Sequence, residues 1–463
     1  MRTGLINFNE NTCVFKLKGF ELEIEEIENR DNIRIYDLKF MFDESSRNNE
    51  TPDILKGRDF ENSSKEIVFN IRNGGKTSPR TYTFTLNSYI IFEKDECSFD
   101  FLSISGDELN WFYNVKNAYN YTAALSTGQI NFETVPFKGL EKCFEFDLDG
   151  ESISGELNIS RQVFNMSISP IRLRTNLYLS FKGTKDYTKI HQLINVTANF
   201  LKFVNYRKNI SINNISLGKK DENTNERNLV GHLYVNRETS NFVENEKILK
   251  ERTIDLSLIE ESLGFLFNKL QKNMIYLTHI PENSVDKHTI TPSRFVLITA
   301  GFEWQFRISY KELSNQAEEE DKKSEGKEEL LEFLELKIQE SSGKKKKYFK
   351  GLRKRIIDTD MSLSSKINWA LEEFQDILAH FIKKVYKMNQ IEDVRYLDIA
   401  ERIQNQRNNY AHGNIDRELN PVVILDLIVL EWIYYSMVLS DIGVSRNNIK
   451  KAINKLFSRG YGL

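Results

Sequence analysis

"PVVILDLIVLEWIYYSMVLSDIGV", residues 421–444, is the stretch on which the fold turns. Its length and apolar composition suit a membrane span as well as the centre of a folded domain. Asp426 and Glu431 lie inside it. An acid at a bilayer centre costs about 2.5–3.5 kcal/mol on insertion scales. The stretch is therefore read as a helix beginning at Pro421 and buried in protein, or shared with a partner subunit, and no membrane is expected.

Working back from it, the helical period extends to about residue 250. "LSLIEESLGFLFNKLQKNMIYL" (256–277) reads as one amphipathic segment. "PSRFVLITAGFEWQFRISYKEL" (292–313) reads as another, with Pro292 as a start signal and Phe295, Ile298, Phe302 and Phe306 on one stripe. A charge-dense connector follows at about 314–328, leading into "ELLEFLELKIQE" (329–340). "SKINWALEEFQDILAHFIKKVYKM" (365–388) and "IEDVRYLDIAERIQNQRNNYAHG" (391–413) complete the helical set.

Upstream, residues 1–245 carry a different pattern. "TCVFKLKGFELEIEEI", "EIVFNIRNGG", "RTYTFTLNSYIIFE", "KCFEFDLDGESISGELNIS" and "NLYLSFKG" are short alternating runs rich in β-branched and aromatic residues. Asn73-Gly74-Gly75 and Asp149-Gly150 are candidate hairpin turns. Many short strands predict a sandwich or curved sheet. One helix, "DYTKIHQLINVTANFLKFV", interrupts it with Ile190, Leu193, Ile194 and Phe200 on one face. The expectation is an α+β chain: a mainly antiparallel β domain over 1–245, then an all-helical bundle over 250–463.

Composition excludes several classes of function. The 463 residues carry a formal net charge of -3, so nucleic-acid binding requires a local patch. Cys13, Cys97 and Cys143 are far apart and form no CxxC pair, which fits a reducing cytoplasm and offers neither disulfide framework nor zinc site. The first residues contain no unbroken apolar run of the secretory kind. There is no HExxH, Walker A, GxSxG or Rossmann fingerprint, and neither metal nor cofactor is expected. "KKKKYFKGLRKR" (344–355) places eight basic residues in twelve. It reads as an exposed loop and helix start. Lys344, Lys345, Lys346, Lys347, Lys350, Arg353 and Arg355, interleaved with Tyr348, would suit phosphate contact plus base stacking.

Two Arg-x4-His matches occur, Arg227 to His232 and Arg407 to His412. The first lies in an alternating strand-like run with no constellation around it. The second, in "QRNNYAHGN" (406–414), ends a helix on which Leu397, Ala400 and Ile403 form an apolar stripe, with Arg407 four positions beyond Ile403. An arginine on a packed face needs an anion, either a carboxylate such as Glu303 or a phosphate. Gly413 is a C-cap residue, which puts His412 in the final turn. Five helical positions are about 140° apart, so both side chains reach one phosphate only where the helix end unwinds.

"QRNNYAHGN" resembles the HEPN signature, in which Arg, a polar residue (often Asn) and three variable positions precede His, often followed by Gly. "LITAGFEWQFR" (297–307) is similar to the early HEPN helix that carries Glu303. The likeness covers roughly residues 290–445, and the β-rich half before it resembles the ApeA-like bacterial anti-phage defence proteins in architecture. The resemblance implies a cytoplasmic, metal-independent endoribonuclease acting on RNA, with tRNA one candidate. It implies Arg407 and His412 as catalytic residues, with Asn408, Tyr410 and Glu303 in support. It further implies a homodimer with a composite site, and fold-level analogy gives the β domain one of two roles, sensing a trigger such as a phage component or holding the nuclease inactive. Two other readings keep the same bundle: a non-catalytic HEPN scaffold, and the toxin half of a toxin–antitoxin pair.

Overall fold

The computed structural model describes residues 1–27, 52–61, 65–78, 80–93, 98–124, 128–164, 171–212, 214–221, 223–224, 226–236, 244–286, 289–311, 325–357, 362–413 and 419–457. The chain divides into two compact units, Met1–Leu201 with Asn209–Phe242, and Lys202–Lys208 with Val243–Leu463. The architecture is α+β: an antiparallel β unit followed by a helical one.

The first unit begins with six strands: β1 (Arg2–Phe8), β2 (Asn11–Lys18), β3 (Glu21–Glu26), β4 (Ile54–Asp59), β5 (Glu66–Ser78) and β6 (Thr81–Phe92). They close on themselves in the order β1-β2-β3-β6-β5-β4, with β4 pairing back to β1 and every pair antiparallel. Alternate residues of each strand point inward. Phe15, Leu22, Ile24, Phe69 and Phe84 fill this small barrel. Closure satisfies strand edges that would otherwise stand open.

Next come β7 (Phe99–Ser105), α1 (Asp107–Phe112), β8 (Tyr119–Ala124), β9 (Gln129–Thr134), β10 (Lys142–Leu148), β11 (Glu151–Val163), β12 (Ile171–Thr184), α2 (Tyr187–Asn205), β13 (Asn214–Lys220) and β14 (Arg227–Val235). β6 joins two layers, because residues 81–85 pair with β3 and residues 88–92 pair with β14. From β14 the sheet continues β13-β7-β12-β11-β10. The predicted stripe of α2 is buried, and its Tyr187 ring lies 6.5 and 6.3 Å from Phe92 and Phe99 of that sheet.

Asp149 and Gly150 form the expected two-residue turn, with φ of 53° and 86°. Asn73-Gly74-Gly75 does not turn the chain. These residues lie within β5, opposite Thr85, Phe84 and Thr83. Gly74 has φ +142°, and a Cβ there would meet the Thr83 carbonyl at 2.3 Å. The glycines permit an irregular register and a close backbone approach, so their signal was for a bulge rather than a reversal. The first Arg-x4-His match is structural. Arg227 forms a two-pronged pair with Glu156 and lies over Tyr178, while His232 Nδ1 is 3.3 Å from Ser216 Oγ.

The second unit comprises α3 (Glu246–Glu251), α4 (Leu256–Ile259), α5 (Leu263–Gln271), α6 (Pro292–Ser309), α7 (Glu325–Glu340), α8 (Gly343–Ile357), α9 (Leu363–Glu373), α10 (Gln375–Met388), α11 (Tyr396–Ala411), α12 (Pro421–Asp441) and α13 (Arg446–Leu456). Helix α12 is the apolar stretch of the opening paragraph. It is long and apolar enough to cross a bilayer, yet it packs against α6, α10, α11 and α13 with most of its side chains buried. Both acids are buried and both are paired. Asp426 accepts two 2.8 Å hydrogen bonds from Arg402 and one from Tyr386. Glu431 accepts from Tyr206 and, at 3.1 Å, from Arg294.

Two expected helices are broken. Residues 256–277 become α4, a 3-10 turn at Glu260–Ser262, and α5. Residues 365–388 become α9 and α10, separated at the fully buried Phe374. Hydrophobic period survives a one-residue kink, so the pattern could not reveal either break. Residues 314–324 of the predicted connector lie outside the described residues, and 325–328 already belong to α7. The basic run at 344–355 is helical throughout rather than part loop.

His279, between α5 and α6, is buried with its ring 4.4 Å from Tyr434 and 5.8 Å from Tyr276. Burial, assisted by the charge of Arg294, pulls its pKa from 6.5 to about 3. The unfolded chain therefore binds the proton first. Stability from this residue is present above pH 6.5 and is lost as pH falls toward 3, by about 1.4 kcal/mol per pH step. Urea midpoints for His279→Phe should fall less steeply than wild type through that window, and parallel curves would refute the assignment.

Candidate active site

Helix α11 carries the second Arg-x4-His stretch. Its inward stripe is Ile399, Ala400, Ile403 and Gln406, all buried. Leu397 is 50% exposed, contrary to expectation. It sits in the first turn, where Arg395 pairs with Asp398 at the surface, and the packed stripe passes through Ile399 instead. Arg402, one turn below the motif, is tied to Asp426 and thereby fixes α11 against α12.

The motif residues occupy the last turn and the exit from α11. Arg407 is half-buried, and its Nη2 lies 3.5 Å from Glu303 Oε2 on α6. The Arg407 Nη1 also donates to Asn408 Oδ1 at 3.4 Å. Tyr410 packs edge-on against Phe295 of α6 with centroids 5.5 Å apart, which pins the helix end to the element that presents Glu303. His412 is the C-cap, with φ -90° and ψ 6°, and its backbone N–H bonds to the Asn408 carbonyl. Gly413 follows with φ +79°, as its position after a final turn requires. The imidazole is exposed. The helix therefore keeps its i→i−4 bonding up to His412 and does not unwind between Arg407 and His412, contrary to expectation, so the offset of about 140° between the two side chains stands.

Of the sequence-selected residues, Arg407 thus meets Glu303 and Asn408, Tyr410 packs on Phe295 of the helix that carries Glu303, and His412 is exposed at the end of α11. Arg402, Tyr386 and Asp426, which the motif did not single out, form the buried brace beneath. Asp426 was visible in sequence as an acid in an apolar run, but its partners were not.

The basic run lies elsewhere in the unit, on α8. Lys344, Lys345, Lys347, Tyr348 and Lys350 are exposed, and Lys346 is half-buried. Arg353 faces α7 and pairs with Glu335 at 2.5 Å, so it is already neutralised. The Arg355 side chain lies outside what is described.

Residues 301–448, about a third of the chain, match the family model described as Apea-like HEPN, and HEPN domains are generally RNases. The match starts just before Glu303 and includes Arg407 and His412. Comparison with curated proteins and with solved structures finds no match. The domain's family suggests a nuclease-type role in defence.

Proposed function

We propose that the chain is a metal-independent endoribonuclease of anti-phage defence, acting in the cytoplasm. The observation that carries this reading is that Arg407, which faces Glu303 of α6, and the exposed His412 share the end of α11, inside the family-matched domain. A ribose 2′-OH attacks the adjacent phosphorus, the bond to the 5′ oxygen breaks, and a 2′,3′-cyclic phosphate and a 5′-OH remain. His412 moves a proton at the attacking or leaving oxygen, and Arg407 stabilises charge on the phosphorane-like transition state. Asn408 holds Arg407. One His per chain is sparse for two proton transfers, so two protomers bring their motifs to one cleft. The β unit senses a phage-derived trigger or holds the nuclease inactive. The test is cleavage of total RNA, with tRNA resolved separately, by purified protein in excess EDTA. Cyclic-phosphate 3′ ends support the mechanism, and metal-dependent cleavage leaving 3′-OH ends refutes it.

Glu303 positions the Arg407 guanidinium until a phosphate replaces it. Both partners are partly exposed, so the pair itself contributes at most about 1 kcal/mol to stability. Glu303→Gln should lower kcat by about tenfold, the scale of an outer-shell contact, while the thermal midpoint stays within a degree or so of wild type. Unchanged turnover would make Glu303 a surface carboxylate without a role.

The α8 lysines supply phosphate contacts for RNA. Replacing Lys344, Lys345, Lys347 and Lys350 by Ala should make the dependence of log affinity on log salt shallower by about 3, at roughly 0.7 per contact on single strands. An unchanged slope in RNA titrations would show that the run meets only solvent. The scaffold reading keeps one observation in its favour: Arg407 already has a carboxylate partner, as a purely structural arginine would.

A further inference from the structure

The β8–β9 hairpin contributes little to the core of its own unit. It is a separate two-stranded sheet, and among the described residues neither outer edge pairs with a third strand. The register sets Tyr121 opposite Phe132 and Ala123 opposite Ile130 on one face, with Asn120, Thr122, Asn131 and Glu133 on the other. The apolar face is uncovered: Tyr121, Ile130 and Phe132 are 65%, 59% and 68% exposed. A lone two-stranded hairpin is marginal in water, and exposed aromatic residues in a group mark surfaces that bind.

The adjoining ends of β11 and β12 add to the same patch. Arg161 on β11 donates to the Val135 carbonyl just beyond β9, and its guanidinium sits 4.5 Å from the ring of the exposed Phe137. Two residues further, Val163 pairs with Ile171, and these are 68% and 62% exposed. The segments 116–141 and 161–172 carry Lys116, Lys138, Arg161 and Arg172 against only Glu133 and Glu141. The strands themselves hold one charge, Glu133, and so offer no phosphate contacts.

We propose that the β8–β9 hairpin and the adjoining ends of β11 and β12 form a docking surface for a polypeptide segment. The segment adds as a strand to a free edge of the hairpin, seats alternate apolar side chains on Tyr121, Ile130 and Phe132, and carries acidic residues toward its ends. Open strand edges demand N–H and C=O partners at strand spacing, which a polypeptide backbone supplies and a lipid surface does not. The surplus of cations around the patch selects the acidic flanks. The assignment is independent of the nuclease reading.

The probe is a display library of random peptides about twelve residues long, selected on the full-length chain. The selected peptides should show alternating apolar residues with Asp or Glu near the ends. Their affinity should fall by about tenfold or more in Phe132→Asp, the loss expected of an aromatic anchor, and should be unchanged in Leu229→Asp, an exposed apolar position on β14. Methylating alternate backbone nitrogens of the peptide should abolish binding, because only strand addition needs those donors. Phe132 is on the surface, so circular dichroism should show both variants folded. No enriched pattern, equal binding by Phe132→Asp, or indifference to backbone methylation would overturn the proposal. Hairpin-dependent binding of anionic vesicles or self-association in place of peptide binding would overturn it as well.

Discussion

Cleavage of RNA should fall by about 10²–10⁴-fold in His412→Ala, the range expected when a positioned acid-base group is removed, with cyclic-phosphate ends disappearing in parallel. His412 is exposed, and its backbone N–H, which bonds to the Asn408 carbonyl, is kept by alanine, so the variant should melt where wild type does. Loss of activity can then be assigned to chemistry rather than to unfolding. Arg407→Ala should lose a comparable amount, because charge on the pentacoordinate phosphorus would lack its counter-ion. Arg407→Lys should recover only part of it, since an ammonium cannot match the planar fork presented to phosphate and to Glu303. Single-turnover cleavage of a defined RNA by matched preparations makes the comparison. Equal cleavage by wild type and His412→Ala would leave the scaffold reading standing and remove His412 from the mechanism.

The residues of the site were legible because local chemistry fixes them. Gly413 ends a helix, an Arg-x4-His preceding it falls in the last turn, and the stripe through Ala400 and Ile403 says which side is packed. The carboxylate facing Arg407 comes from a different helix more than a hundred residues earlier, so local pattern offered Glu303 only as one possible anion and the family likeness marked it further. Spacing by itself was not enough. Arg227 and His232 have the same interval but sit on β14, where they pair with Glu156 and Ser216. The β class of the first half was legible from alternation, whereas its topology was not. Closure of β1–β6 depends on the β1–β4 and β3–β6 pairings, and the sheet continues because β6 changes neighbours midway, which are long-range facts that alternation does not encode. Strands such as β4, β7 and β13 are short or contain Gly and Lys, which mutes the pattern. The end of α2 shows a related limit. Its hydrophobic stripe is continuous, yet residues 202–208 belong with the second unit, where Tyr206 reaches Glu431 and the Phe203 carbonyl accepts from Tyr435.

Asp426→Ala should destabilise the helical unit by about 3–5 kcal/mol, because it strands Arg402 and the Tyr386 hydroxyl without the carboxylate they share. Asp426 is fully buried in the second turn of α12, and it holds the Arg402 proton more firmly than an exposed arginine would. The double replacement Asp426→Leu with Arg402→Leu should regain much of that loss, since two apolar side chains there avoid the cost of desolvating a charge. Urea unfolding of the three proteins measures both steps, and a loss below about 1 kcal/mol for Asp426→Ala would mean that the brace contributes nothing special. Stability and activity should then separate. Arg402 lies five residues before Arg407 on the same helix, and its bidentate grip on Asp426 sets the register of α11 on α12. Leucines at both positions can restore burial but not that register. The double variant should therefore fold nearly as stably as wild type and still cleave RNA more slowly. Full activity in a stable double variant would show that Phe295 against Tyr410 holds the site unaided. Asp426, one of the two acids that argue against a membrane span in the sequence, would then matter only as the partner that Arg402 requires.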